Sequence, residues 1–144
     1  MARITVWQTL ALGVGCRSGC PVAALPYLVW QTLAEAGVAA SALFGVFTLD
    51  RKLGEPAVRA LADALALPLQ GFPVAVLEAQ TPRLLTPSPV VFRAVGCHGV
   101  AESAALAAVG PAGRLCFPRR QSADATCALA GVPVQSDSGL VKAG

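Results

Sequence analysis

The chain has 144 residues, 55% of them hydrophobic and 13% charged, which is one domain's worth of core-forming material and too little charge for disorder. Its net charge of +3 is mild and no Lys/Arg-rich block runs through it, which argues against nucleic-acid binding. No apolar stretch approaches the roughly 20 residues that span a bilayer, so the sequence predicts a cytoplasmic protein with neither nucleic acid nor membrane as partner.

The N-terminal stretch "MARITVWQTLALGVGC" carries an early Arg3, an apolar run and a cysteine, in the manner of a lipoprotein signal. Gln8 and Thr9 interrupt the run, and Gly13, Val14 and Gly15 precede Cys16 without the leucine such a site wants, so a structural strand over residues 10–15 is the preferred reading. "GCRSGCP" follows as a strand-to-helix turn, and Pro21 suits the first position of a helix over residues 21–36. In it Leu25, Leu28, Val29 and Leu33 recur at helical spacing, Pro26 is expected to bend the early turns, and Gly37 supplies the stop.

"ALFGVFTL", residues 42–49, reads as a second strand. The loop "DRKLGEP" leads to a helix from Pro56 to about residue 67, with Val58, Leu61, Ala62 and Leu65 as its apolar stripe. "PLQGF" reads as a short strand, residues 73–79 as a turn of helix, and "TPRLLTPSPV" as a proline-rich break. Ser88 and Pro89 form an N-cap and first-turn pair for a helix over residues 89–95. "GCHG" separates it from a helix over residues 100–108. Strands are expected at 114–117 and 125–130, joined by the loop "PRRQSAD"; seven residues are too few for a helical crossover, so this pair is antiparallel. Alternating strands and helices predict a single three-layer α/β/α domain over residues 1–130, with a mixed, largely parallel sheet, and a tail over 131–144.

In an open α/β sheet, ligands sit beyond the C-terminal ends of the strands. The first strand delivers Gly15, Cys16, Arg17, Ser18 and Gly19 there; the second delivers Thr48, Asp50, Arg51 and Lys52. Arg119, Arg120 and Ser122 lie in the loop before the last strand, at an end of the sheet that the sequence leaves open. Several cations near strand-end loops predict a site for an anion, with the amides of residues 15–19 as further donors. The alternative is a tight turn with a solvated Arg17. The glycines at 13, 15 and 19 do not match a dinucleotide fingerprint, and no Gly-Lys-Ser/Thr follows, so no cofactor motif is present. Glu102 falls in a first helical turn and reads as a cap or as a site carboxylate. The five cysteines, Cys16, Cys20, Cys97, Cys116 and Cys127, are odd in number and read as free thiols. The C-x3-C spacing of Cys16 and Cys20, with His98 the one histidine, is wrong for structural zinc, and no metal is expected.

The order of four blocks resembles the CobE/CbiG C-terminal family of cobalamin biosynthesis. They are "GVGCRSG", "FTLDRKLGEPAVRALADALALPL", "PSPVVFRAVGCHGVAESAALAA" and "GRLCFPRRQSADATCALA". Arg119 stands where the family usually has lysine, Gln121 replaces another basic residue, and "GCHG" occupies a stretch that is commonly Gly-x-Pro-Ser. The resemblance implies a protein that binds or carries a precorrin or corrinoid intermediate such as hydrogenobyrinic acid, without a cofactor. Its expected partners are that intermediate and other enzymes of the pathway. Gly15, Cys16, Arg17, Ser18, Gly19, Thr48, Asp50, Lys52, Glu102, Arg119 and Arg120 are the candidate ligand-binding residues. The competing reading is a precorrin hydrolase that opens a lactone and releases acetaldehyde, using Cys16 as nucleophile or Asp50 and Glu102 as acid and base. A third is a structural partner of another pathway enzyme.

Overall fold

The computed structural model describes residues 6–134. The elements run β1 (Trp7–Cys16), α1 (Ala24–Ala36), β2 (Leu43–Leu49), α2 (Pro56–Leu65), β3 (Leu69–Phe72), α3 (Val74–Glu78), α4 (Pro89–Val95), α5 (Val100–Val109), β4 (Arg114–Gln121) and β5 (Ala125–Pro133). The strands form one sheet in the order β3-β2-β1-β5-β4. β3, β2 and β1 pair in parallel, while β5 runs antiparallel to both β1 and β4. Four strands therefore point one way and β5 alone opposes them, which is the mixed, largely parallel sheet that the alternating pattern predicts.

β1 is the central strand, and its residues from Leu10 to Gly15 are all buried. That continuous burial matches its near-continuous apolar run, because helices cover both faces. Leu10, Leu12 and Val14 of β1 join Cys127 and Leu129 of β5 in a core closed by α1 and α2, through Leu25, Val29, Val58 and Leu61 among others. On the opposite face Ala11, Phe47 and Leu49 pack with Leu77 and Ala104 beneath α3 and α5. The seat of α5 is unusually close. A Cβ built on Gly13 would lie 1.9 Å from the Ala101 carbonyl oxygen, so only glycine lets the helix settle there.

Several boundaries differ from the sequence expectation. α1 starts at Ala24, not at residue 21. A start at residue 21 would bury Pro26 in the helix interior and forfeit a backbone bond; starting at Ala24 leaves Pro26 in the first turn, where no N–H partner exists anyway. α2 stops at Leu65, with Ala66 taking a left-handed cap at φ 55°. β4 continues to Gln121 and β5 to Pro133, so the connection shrinks to residues 122–124 and Arg119 and Arg120 are strand residues, not loop residues. β4 absorbs Pro118 because it is the edge strand and its register shifts twice, between Leu115 and Phe117 and between Phe117 and Arg120. Residues 131–133, expected in the tail, belong to β5; residues 135–144 lie outside the described part. Gly37, at φ 68°, ends α1, and Ser88 caps α4 by accepting the Val91 N–H, both as the sequence predicts.

Candidate functional site

Because β4 is parallel to β1, the turn at residues 122–124 lies at the same edge of the sheet as the loops after β1 and β2. Cys16 pairs directly with Ala125. This settles the end at which the basic segment lies. Above that edge a cleft of about 430 Å³ opens, within the roughly 300–1,000 Å³ typical of small-molecule sites. Its apolar wall comes from Val90, Val91, Ala94 and Val95 of α4, with Val100 and Ala101 at the start of α5. α4 and α5 meet at 82°, so the two helices form a corner over the sheet. Gly15 and Leu49 lie at its base, and Arg17, Lys52, Arg119, Gln121, Ser122 and Asp124 supply the polar rim.

Of the candidate residues, Gly15, Cys16, Arg17, Lys52 and Arg119 line this cleft together. Arg17 forms an ion pair with Asp124, and its amide donates to the Asp124 carbonyl at 2.9 Å. Lys52 Nζ donates to Ser18 Oγ at 3.0 Å. The Arg119 guanidinium has no hydrogen-bonded partner among the described residues, although the Arg119 amide is held by Glu102.

The remaining candidates are placed elsewhere or already engaged. The Gly19 amide donates to Glu55 Oε2 at 2.9 Å. With the Arg17 amide also taken, the glycine-rich loop is not the open cradle of N–H groups that residues 15–19 suggested. The later start of α1 also removes the helix terminus from its side. Thr48 is fully buried and pins β2 to β1 through the Val14 carbonyl at 2.7 Å. Asp50 is exposed in a single 3-10 turn and is not part of the lining. Glu102 is 1% exposed, and its two oxygens accept the Thr86 and Arg119 amides at 3.1 and 3.2 Å. It ties the proline-rich segment to β4 and is a brace behind the wall, outside the cleft lining.

Arg120 corrects the expectation most sharply. It pairs with Cys127, on the face covered by α1, where its guanidinium meets Glu35 and lies 5.9 Å over the Phe117 ring. Arg119 faces the cleft instead, so neighbours in sequence serve opposite sides of the sheet.

Cys16 and Cys20 pack with the α1/α2 core, whereas Cys97 is buried on the α3/α5 side, so the two cysteine regions do not converge on one site. Burial, and then the neighbouring Cys20 thiol, push the Cys16 thiol up to about 12. His98 places Nδ1 3.0 Å from each oxygen of Glu78 and stacks on Phe92. Its bond holds the Glu78 carboxyl below the usual carboxylate range. Among the described residues, no single helix is long and apolar enough to cross a membrane. The two features that sequence reading missed are the wall role of α4 and the acid Asp124 within a basic rim. The pair "SP" at residues 88–89 located α4, but nothing local said which way it faces.

Residues 10–130 match the family model described as cobalamin synthesis G C-terminus. The chain is 44% identical over 122 residues to protein CobE of Sinorhizobium sp, covering 85% of this chain and 79% of that protein. It is 26% identical over 126 residues to the cobalt-precorrin-5A hydrolase of Priestia megaterium, covering 88% of this chain but only 33% of the hydrolase. A crystal structure of CobE, a protein from the cobalamin (vitamin B12) biosynthetic pathway, superposes with a TM-score of 0.82 at 36% identity, covering 92% of this chain and 97% of that one.

Proposed function

The chain belongs to the CobE/CbiG C-terminal family of cobalamin biosynthesis, and from that premise we propose that it binds a precorrin or corrinoid intermediate, such as hydrogenobyrinic acid, in the cleft above β1, β2 and the β4–β5 turn. The observation that carries this reading is the pairing of an apolar wall with three cations, Arg17, Lys52 and Arg119, on one rim. A precorrin is a broad apolar ring edged by acetate and propionate groups. The ring's edge would lie on the valines of α4 and α5 while its carboxylates meet the cations, the combination that charge-assisted hydrogen bonds make selective. The role is a carrier's: it would hold the intermediate and pass it to another enzyme of the pathway, in the cytoplasm.

Hydrolysis has less support in the geometry. A Cys16 thiol raised to about 12 is a poor nucleophile near neutrality. Both Glu102 oxygens are committed to backbone amides, and Asp50 lies outside the cleft lining.

Absorbance titration with hydrogenobyrinic acid tests the proposal. Arg119→Ala removes a guanidinium that has no partner among the described residues, so the loss reports on the ligand. The expected cost is about 1.5–3 kcal/mol, the value of a hydrogen bond to a charged group, or roughly 10- to 150-fold in Kd. Absence of binding by the wild-type protein, or an Arg119→Ala variant of equal affinity, overturns it. Turnover of a precorrin by the purified protein would replace the carrier reading with the hydrolytic one.

A further inference from the structure

Among the residues lining the cleft, Asp124 is the one acid, set in a rim that otherwise offers cations and neutral groups. An aspartate in a tight turn ordinarily accepts a nearby backbone N–H and so holds the turn. Here Ser122 does that work. Its Oγ accepts the amides of both Asp124 and Ala125, at 3.3 and 3.2 Å, and the Asp124 carbonyl is tied to the Arg17 amide. The turn is closed without the Asp124 carboxylate, which is given over to Arg17.

The pair is lopsided. The Asp124 side chain is 22% exposed and the Arg17 side chain 69%, so the acid is held by the fold and the guanidinium reaches outward over it. Among the described residues, Lys52 has only the Ser18 hydroxyl as partner and the Arg119 guanidinium has none. One of the three rim cations is therefore paired within the protein, and two are open to an incoming anion.

We propose that Asp124 is a built-in competitor for the ligand: it pairs with Arg17, and a carboxylate of a multiply charged ligand displaces it. A ligand with a single acid group is served by Arg119 or Lys52 and leaves the pair closed. Only a polyacid engages Arg17, and it must outcompete Asp124 to do so. The pair thus sets a threshold that favours highly carboxylated ligands. The inference builds on the cleft being the ligand site proposed above, although its test does not depend on the ligand being a corrinoid.

The test compares wild type, Asp124→Asn, Arg17→Ala and the double variant. Asparagine keeps size and hydrogen bonding and removes only the charge, and circular dichroism checks the fold of each. Two probes are titrated separately, hydrogenobyrinic acid by absorbance and citrate by calorimetry. Asp124→Asn should bind each about two- to fivefold more tightly, the span of an exposed ion pair's strength, and the gain should vanish when Arg17 is alanine. A gain that persists without Arg17 is general electrostatics and overturns the competition. Equal or weaker binding of both probes by Asp124→Asn, or no citrate binding by any variant, also overturns it. A citrate gain that depends on Arg17, in a protein that does not bind hydrogenobyrinic acid, upholds the competition and rejects the corrinoid reading.

Discussion

Replacing Gly13 by alanine tests whether α5 sits as closely on β1 as the cleft requires. The added Cβ would lie 1.9 Å from the Ala101 carbonyl oxygen and 2.7 Å from the Ala105 nitrogen. Ordinary contact is about 3.5 Å, so α5 must retreat by about 1.5 Å, on the scale of a whole carbon–carbon bond. Both obstructing atoms are backbone, and no side-chain rotation relieves them. The cost therefore falls at the upper end of the overpacking range or beyond it, about 3 kcal/mol, equivalent to a Tm lower by roughly 10 °C in a domain of this size. Val100 and Ala101 line the cleft, so the same retreat should weaken ligand binding. Urea denaturation measures the stability loss, with Gly54→Ala as the control. A Cβ there meets no heavy atom within 4 Å, and its effect should stay within about 0.5 kcal/mol. A Gly13→Ala variant as stable as that control would show that α5 is not seated on Gly13, and the reasoning about the wall of the cleft would fail with it.

Cys16, with its thiol raised to about 12 by burial and the Cys20 thiol, should stay protonated at pH 8, so native Cys16 should resist iodoacetamide and Cys16→Ser should still complement the pathway; rapid alkylation in the native state would count against this. Glu78 is held below the ordinary carboxylate range by His98. Its contribution to stability is complete above the unfolded value of about 4.3 and is lost as pH falls through the lower folded value, so Glu78→Gln should flatten the acid limb of the stability curve, and parallel curves for variant and wild type would reject the bond. Ser88→Ala removes the Val91 N–H acceptor from a helix with no buried residue. It should cost that helix about 1 kcal/mol, seen as faster amide exchange over residues 90–95 and weaker ligand binding with little change in Tm; unchanged exchange would show that the cap does not hold the wall.

What the sequence discloses about this molecule divides by the range of the interaction. Gly37, Pro56 and the Ser88–Pro89 pair act on their own helices, and each marks a terminus within one or two residues of the observed one. The strand-end rule brings Gly15, Cys16, Arg17 and Lys52 to the cleft for a similar reason, because the loop after a strand must leave from that strand's end. Pairing across the sheet is different. Which edge receives the basic segment depends on β5 inserting between β1 and β4, and nothing in "PRRQSAD" itself encodes that. Read as a loop, Arg119 and Arg120 form one cationic tip. Read as a strand with a shifted register, they part: Arg119 turns to the valines of α4 and α5, and Arg120 to Glu35 and Phe117 behind α1. Two charges that composition counts alike thus have different surroundings, since one meets a partner within the protein and the other has none among the described residues but lines the cleft. Glu102 makes the same point in reverse. Its place in the first turn of α5 is legible, but its burial follows from Thr86 and Arg119 arriving on either side, and that arrival turns a carboxylate that could have done chemistry into one that holds the wall behind the cleft together.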